Sequence, residues 1–167
     1  MNKVLGILLI VIALFLLVFP MLKSNYEYNK EYSSYWHLAE KSSTITAKSE
    51  YVDKFVNALE HSGLQGQYDA LVFQTQDNSF DKNFEALKTL QARLKEIKGM
   101  NVNSFEYQTA IQQITAQEQG EAENMLNVIS GCWTKVHYPY LWNLFGFLYL
   151  IWWVLIIAVG WGICARD

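Results

Sequence analysis

The sequence predicts an all-α membrane protein in which two transmembrane helices flank an antiparallel helical-bundle domain with long membrane-proximal stalk helices. Three observations predict it. Residues 4–22 and 141–164 form two almost wholly apolar runs. The stretch between them is rich in Glu, Gln, Lys, Ala and Leu, all good helix formers, and has no proline from Met21 to Tyr138. Its apolar residues recur at spacings of three, four and seven, the period of a helix with one buried face. The expected organisation is an anchor over 1–22, a water-soluble bundle over 23–138, and a second transmembrane helix with a very short tail over 139–167.

The first apolar run, Val4 to Leu22, has 19 residues and no charge. That is enough to cross a hydrocarbon core of about 30 Å. No small-x-small site follows it, since the chain reads Phe19-Pro20-Met21-Leu22-Lys23-Ser24, so an uncleaved signal anchor is expected. Pro20 is expected in the last turn of this helix, where a kink is tolerated.

The first bundle helix is expected over 24–61, with Leu38, Ile45, Val52 and Leu59 as a heptad stripe and Tyr35, Phe55 and Val56 beside it. Ser62-Gly63 ends it. A short second helix is expected over 65–76, around Tyr68, Leu71, Val72 and Phe73. Asp77-Asn78-Ser79 offers a cap for a third helix over 80–98, whose stripe is Phe84, Leu87, Leu90, Leu94 and Ile97. A fourth is expected from Asn103-Ser104, with Glu106 completing a capping box, and with Ile111, Ile114, Met125, Ile129 and Trp133 on its face. The two outer helices would be roughly 57 and 51 Å long, which gives the stalk.

The second apolar run begins with an aromatic belt that includes Tyr138, Tyr140 and Trp142. Trp152 and Trp153 lie deeper, which suggests packing against another helix or a bound lipid. Ala158 with Gly162, and Gly160 with Cys164, are small-xxx-small pairs that let helix backbones approach. Ala158, Gly160, Gly162, Trp152 and Trp153 are therefore the candidate helix-packing interface. Tyr28, Tyr32, Tyr35 and Trp36, just past the first run, are the candidate interfacial aromatic cluster. A short, weakly basic N-terminus before a long apolar run favours cytoplasmic termini and an extracytoplasmic central domain.

Charge and chemistry exclude several function classes. Residues 23–138 hold 11 Lys/Arg and 15 Asp/Glu, a formal charge of −4 with no basic patch, so nucleic acid is not an expected partner. Cys132 and Cys164 would lie more than about 40 Å apart along one helix, too far for an intrachain disulfide, which leaves packed or free thiols or an intermolecular bridge through Cys132. His37, His61 and His137 share no i,i+3 or i,i+4 spacing, and no metal or cofactor is expected. Glu118, Glu121 and Glu123 with Gln117 and Gln119 read as a solvated face. No phosphate loop, nucleophile motif or CxxC is present, so no enzyme is expected.

Two apolar runs around an outer helical bundle resemble the sensory half of bacterial chemoreceptors and sensor kinases. Only Ala165-Arg166-Asp167 follow the second run, so no output domain is expected. Tyr28-Asn29, the Phe84-x-x-Leu-x-x-Leu-x-x-x-Leu run and Leu144-Phe-Gly-Phe147 resemble scattered features of the LemA family, which the second apolar run departs from. Neither resemblance assigns a family. The expected function is a non-catalytic accessory or assembly subunit of a larger membrane complex. Its expected partners are other integral membrane subunits and the lipid bilayer, with a homo-oligomer possible. The alternative is a ligand-binding or sensory module that signals through its membrane helices.

Overall fold

The computed structural model describes residues 2–120, 122–139 and 144–165. Glu121, Tyr140, Trp142, Asn143 and Arg166 lie outside the described residues, as do the side chains of Gln117, Glu118, Gln119 and Cys164. The described chain is all-α, with no strand and one isolated bridge between Tyr68 and Ser79. It forms two compact units, Met1–Glu27 with Thr134–Asp167, and Tyr28–Trp133.

The first unit contains most of α1 (Asn2–Tyr28) and all of α7 (Leu144–Ala165). Pro20 lies inside α1 and not in its last turn, because helical backbone continues past it to Glu40. That continuous run, Gly6–Glu40, is long and apolar enough to cross a membrane; the described apolar part of α7, Ile151–Gly162, is shorter. Among the described side chains of α1 within this unit, the buried and half-buried positions are Gly6, Ile10, Ala13, Pro20, Ser24 and Glu27, one stripe at spacings of three, four and seven. The matching stripe on α7 is Trp153, Ile156, Ile157 and Gly160. Two polar contacts join the ends of this unit: Ser24 Oγ donates to Thr134 Oγ1 at 3.3 Å, and the Tyr138 hydroxyl donates to the Glu27 carboxylate.

In the second unit the backbone widens into a single π-helical turn, Asn29–Ser33, then resumes as α2 (Ser34–Glu40). There it stops. Ser42 Oγ bonds the Leu38 carbonyl at 2.7 Å, and Thr44 caps α3 (Ile45–Glu60) by accepting from Ala47 N at 3.2 Å. The continuous helix expected over 24–61, and with it the first stalk helix, is corrected to a hairpin. Ser42, Ser43 and Thr44 compete for backbone groups and turn the chain. α3 packs back on α2 and the π turn. The heptad therefore holds on one side of the turn only: Val52, Phe55, Val56 and Leu59 are buried, while Leu38 is exposed.

The short helix expected over 65–76 is also corrected. Residues 61–79 are an irregular loop, in which Gly63 (φ +74°) and Gly66 (φ +62°) adopt left-handed backbone that other residues rarely take. Ser79 caps α4 (Phe80–Lys98) through Lys82 N, and Leu87, Leu90, Leu94 and Ile97 form its buried stripe. α4 lies antiparallel to α3 under a ladder of ion pairs: Glu60–Lys88 (2.6 Å), Asp53–Lys95 (3.0 Å) and Glu50–Lys98 (3.6 Å). Each step back along α3 matches an equal step forward along α4, so the three pairs describe one register. α5 (Phe105–Gly120) is capped by Ser104, which accepts from Tyr107 N at 3.1 Å, one residue later than the cap expected at Asn103. α6 (Ala122–His137) buries Ile129, Cys132 and Trp133. The core of the unit is built on Trp36, Phe55, Leu59, Leu87, Leu94 and Ile129.

Candidate functional site

Three places carry chemistry. The first is the face between α1 and α7. A β-carbon on Gly160 would lie 2.9 Å from Ile10 Cγ1 and 3.1 Å from the Gly6 carbonyl oxygen, so the two helices meet where neither has side-chain bulk to spare. Gly160 is thus placed against α1. Ala158 and Gly162 point outward, and Gly162 has nothing within 4 Å of its β position. Trp152 is exposed and Trp153 half-buried. The two small-residue pairs therefore divide, with one member of the Gly160–Cys164 pair seen against α1 and the Ala158–Gly162 pair left open.

The second is the aromatic cluster. Tyr28 stacks on Tyr32 at 5.6 Å, and both rings meet Trp133, at 5.7 and 6.1 Å. Trp36 packs edge-on against Phe55 at 5.7 Å. Tyr28, Tyr32 and Trp36 are buried and Tyr35 is half-buried, so an interfacial surface cluster is corrected to part of the core. The π turn explains the packing. Its i→i+5 spacing lengthens the local period, so residues four apart stand more nearly in line and Ser33 turns inward with them. The Tyr28 hydroxyl is buried and has no hydrogen-bond partner among the described residues. Beside this cluster runs a chain the sequence reading missed. Ser33 Oγ lies 3.1 Å from His37 Nε2, His37 Nδ1 lies 3.2 Å from Glu40 Oε2, and Trp36 Nε1 donates to Glu40 Oε1 at 2.8 Å. The order hydroxyl–imidazole–carboxylate is that of an activated nucleophile. However, all three residues sit one turn apart on a continuous helical run, and neither cavity described below is lined by Ser33. The chain ties the π turn to α2.

The third is a cavity of about 430 Å³ where the α2–α3 turn meets the end of α4 and the start of α5. Ser42, Thr44, Lys48, Lys98 and Tyr107 give it polar groups, Ile45, Met100 and Ile111 give it an apolar floor, and no acidic residue lines it among the described residues. A smaller cavity of about 320 Å³ lies between Arg93, Glu96, Met100 and Ile114. No group of three or more His, Cys, Asp or Glu suited to a metal ion occurs among the described residues. Cys132 is a buried thiol.

No family model, no curated protein and no solved structure matches this chain.

Proposed function

We propose that the chain is a non-catalytic accessory or assembly subunit of a larger membrane protein complex. In this reading α1 and α7 cross the bilayer as a packed pair, the termini are cytoplasmic, and the Tyr28–Trp133 unit is extracytoplasmic. One observation carries it: α1 buries a single narrow stripe and exposes Ile7, Leu8, Val11, Leu14, Phe15, Val18 and Phe19 around the rest of its circumference. Apolar surface costs about 25 cal/mol per Å² in water, so a sheath of this kind needs lipid or other apolar helices around it. The open Ala158–Gly162 face and exposed Trp152 on α7 support contact with a further membrane helix.

The test is alkaline extraction of source membranes, then a native pull-down in mild detergent with mass spectrometry. The chain is expected to stay in the membrane pellet and to bring down a stoichiometric set of integral membrane subunits. Release by alkali, or purification as a lone monomer, would overturn the reading. A second reading, a ligand-binding sensory module, draws on the Lys48–Lys98 cavity, whose hydroxyls, ammonium groups and apolar floor suit a small anion with an apolar tail. A rise in melting temperature with hexyl phosphate, lost in Lys48→Gln/Lys98→Gln, would favour it.

A further inference from the structure

The loop between α3 and α4 is built to hold a shape. Loops of this length without secondary structure are uncommon in compact units unless they work. Its base is closed by paired backbone bonds, Asp69 N to the Asn78 carbonyl at 3.0 Å and Phe80 N to the Gln67 carbonyl at 2.7 Å. Asp81 Oδ1 accepts from Gly66 N at 2.8 Å. Near the tip, the Asn78 side chain accepts from Thr75 N at 3.0 Å and donates to the Phe73 carbonyl at 2.8 Å. Fixing so many residues costs conformational entropy. Yet what the fixed tip displays is apolar: Leu71, Val72 and Phe73 are 39%, 73% and 83% exposed.

The charge around the tip selects its occupant. From Ser62 to Asp81 there is no Lys or Arg; Asp77 stands beside the tip, and Asp69 and Asp81 add negative charge at the loop's base. The Thr75 hydroxyl and nearby backbone amides hold the Asp77 carboxyl below its ordinary value, so it stays ionised near neutrality. An anionic bilayer surface would repel such a loop. A pocket on a protein, apolar inside and rimmed by Lys or Arg, complements it in both respects.

The geometry points to the Leu71-Val72-Phe73 tip as the plug by which this chain docks into an apolar, basic-rimmed pocket of a partner protein subunit. The inference rests on the accessory-subunit reading and names the element that would make the contact. Phe73 is the central anchor, since it is the largest and most exposed side chain of the tip and the Asn78 side chain holds its carbonyl.

The test uses the full chain in its native membrane. Phe73→p-benzoylphenylalanine is irradiated, and adducts are mapped by mass spectrometry. In parallel, Val72→Ser/Phe73→Ser is compared with the unmodified chain in the pull-down, with helicity and melting temperature measured on both. The expected result is a protein adduct on a segment whose apolar residues are flanked by Lys or Arg. Recovery of that same subunit should fall on the order of tenfold or more in the double variant, at unchanged melting temperature. Adducts to lipid alone, no adduct, or undiminished companions with the double variant would overturn the docking loop and leave the accessory reading standing. A lack of companions with the unmodified chain would overturn both. Because the substituted side chains are exposed, the variant is expected to fold.

Discussion

Gly160 of α7 leaves no room for a β-carbon beside Ile10 of α1: the added atom would come within 2.9 Å of Ile10 Cγ1, with the Gly6 carbonyl behind it at 3.1 Å. The carbonyl cannot rotate away, so the helices must part. Gly160→Leu is expected to cost about 1–3 kcal/mol, the range for overpacking a tight contact. Gly162→Leu is expected to cost almost nothing, because its β position meets open space. Thermal unfolding in mild detergent, followed by near-ultraviolet circular dichroism, compares the two. Equal midpoints would refute the placement of Gly160 between the helices.

A second glycine makes a similar prediction inside the Tyr28–Trp133 unit. A β-carbon on Gly131 of α6 would overlap the Asp69 carboxylate and lie 2.6 Å from its Cγ. Replacing a mid-helix glycine by alanine ordinarily gains about 1 kcal/mol. Here Gly131→Ala must first displace Asp69, so the gain is expected to vanish and amide exchange around 66–79 to speed up. In an Asp69→Gly background the same substitution is expected to recover the helix gain. A double-mutant cycle by chemical denaturation checks the sign of the coupling; additive effects would show that the loop does not sit on Gly131.

Much of the helical content was legible because stripes such as Leu87, Leu90, Leu94 and Ile97 are written at helical period and end at a glycine. The heptad from Leu38 to Leu59 misled because four residues in register do not reveal a turn between the first two. Ser42-Ser43-Thr44 was the available signal, since hydroxyl side chains in a row favour caps over helix interiors. The loop misled in the opposite way: Leu71, Val72 and Phe73 read as the apolar residues of a short helix, while Gly63 and Gly66 on one side and Asp77-Asn78 on the other marked a turn-rich segment. The aromatic cluster was found but placed outside the core, because no pattern in the sequence announces a π turn. The α3–α4 ladder was missed, although acids at 50, 53 and 60 and lysines at 88, 95 and 98 carry the same spacings in reverse.

That ladder makes stability depend on pH in a stated direction. A hydrogen bond from Lys88, reinforced by its charge, holds the Glu60 carboxyl below the ordinary glutamate value. A carboxyl lowered in the folded state contributes stability above its unfolded value and loses it as pH falls through the folded one. Denaturant midpoints of the unmodified chain are therefore expected to fall on acidification through the glutamate range, and the fall is expected to be shallower in Glu60→Gln. Both side chains are well exposed, so the difference should shrink in high salt. An unchanged pH slope in Glu60→Gln would show that the pair contributes nothing.

The buried hydroxyl of Tyr28 gives a prediction with an unusual sign. The residue is 4% exposed and its ring stacks on Tyr32 and packs at a tilt against Trp133, whereas its oxygen has no hydrogen-bond partner among the described residues. A buried polar atom left unsatisfied costs about 1–3 kcal/mol, and removing it while keeping the ring spares that cost. Tyr28→Phe is therefore expected to raise stability by about 1 kcal/mol. Tyr28→Ala is expected to lower it by about 3–5 kcal/mol, because the cavity it leaves lies inside the aromatic stack. Thermal unfolding of the three chains separates packing from polarity. A loss of stability in Tyr28→Phe would mean that the hydroxyl is bonded in the folded protein, and the cluster would then have to be read as a polar site closed over a partner atom.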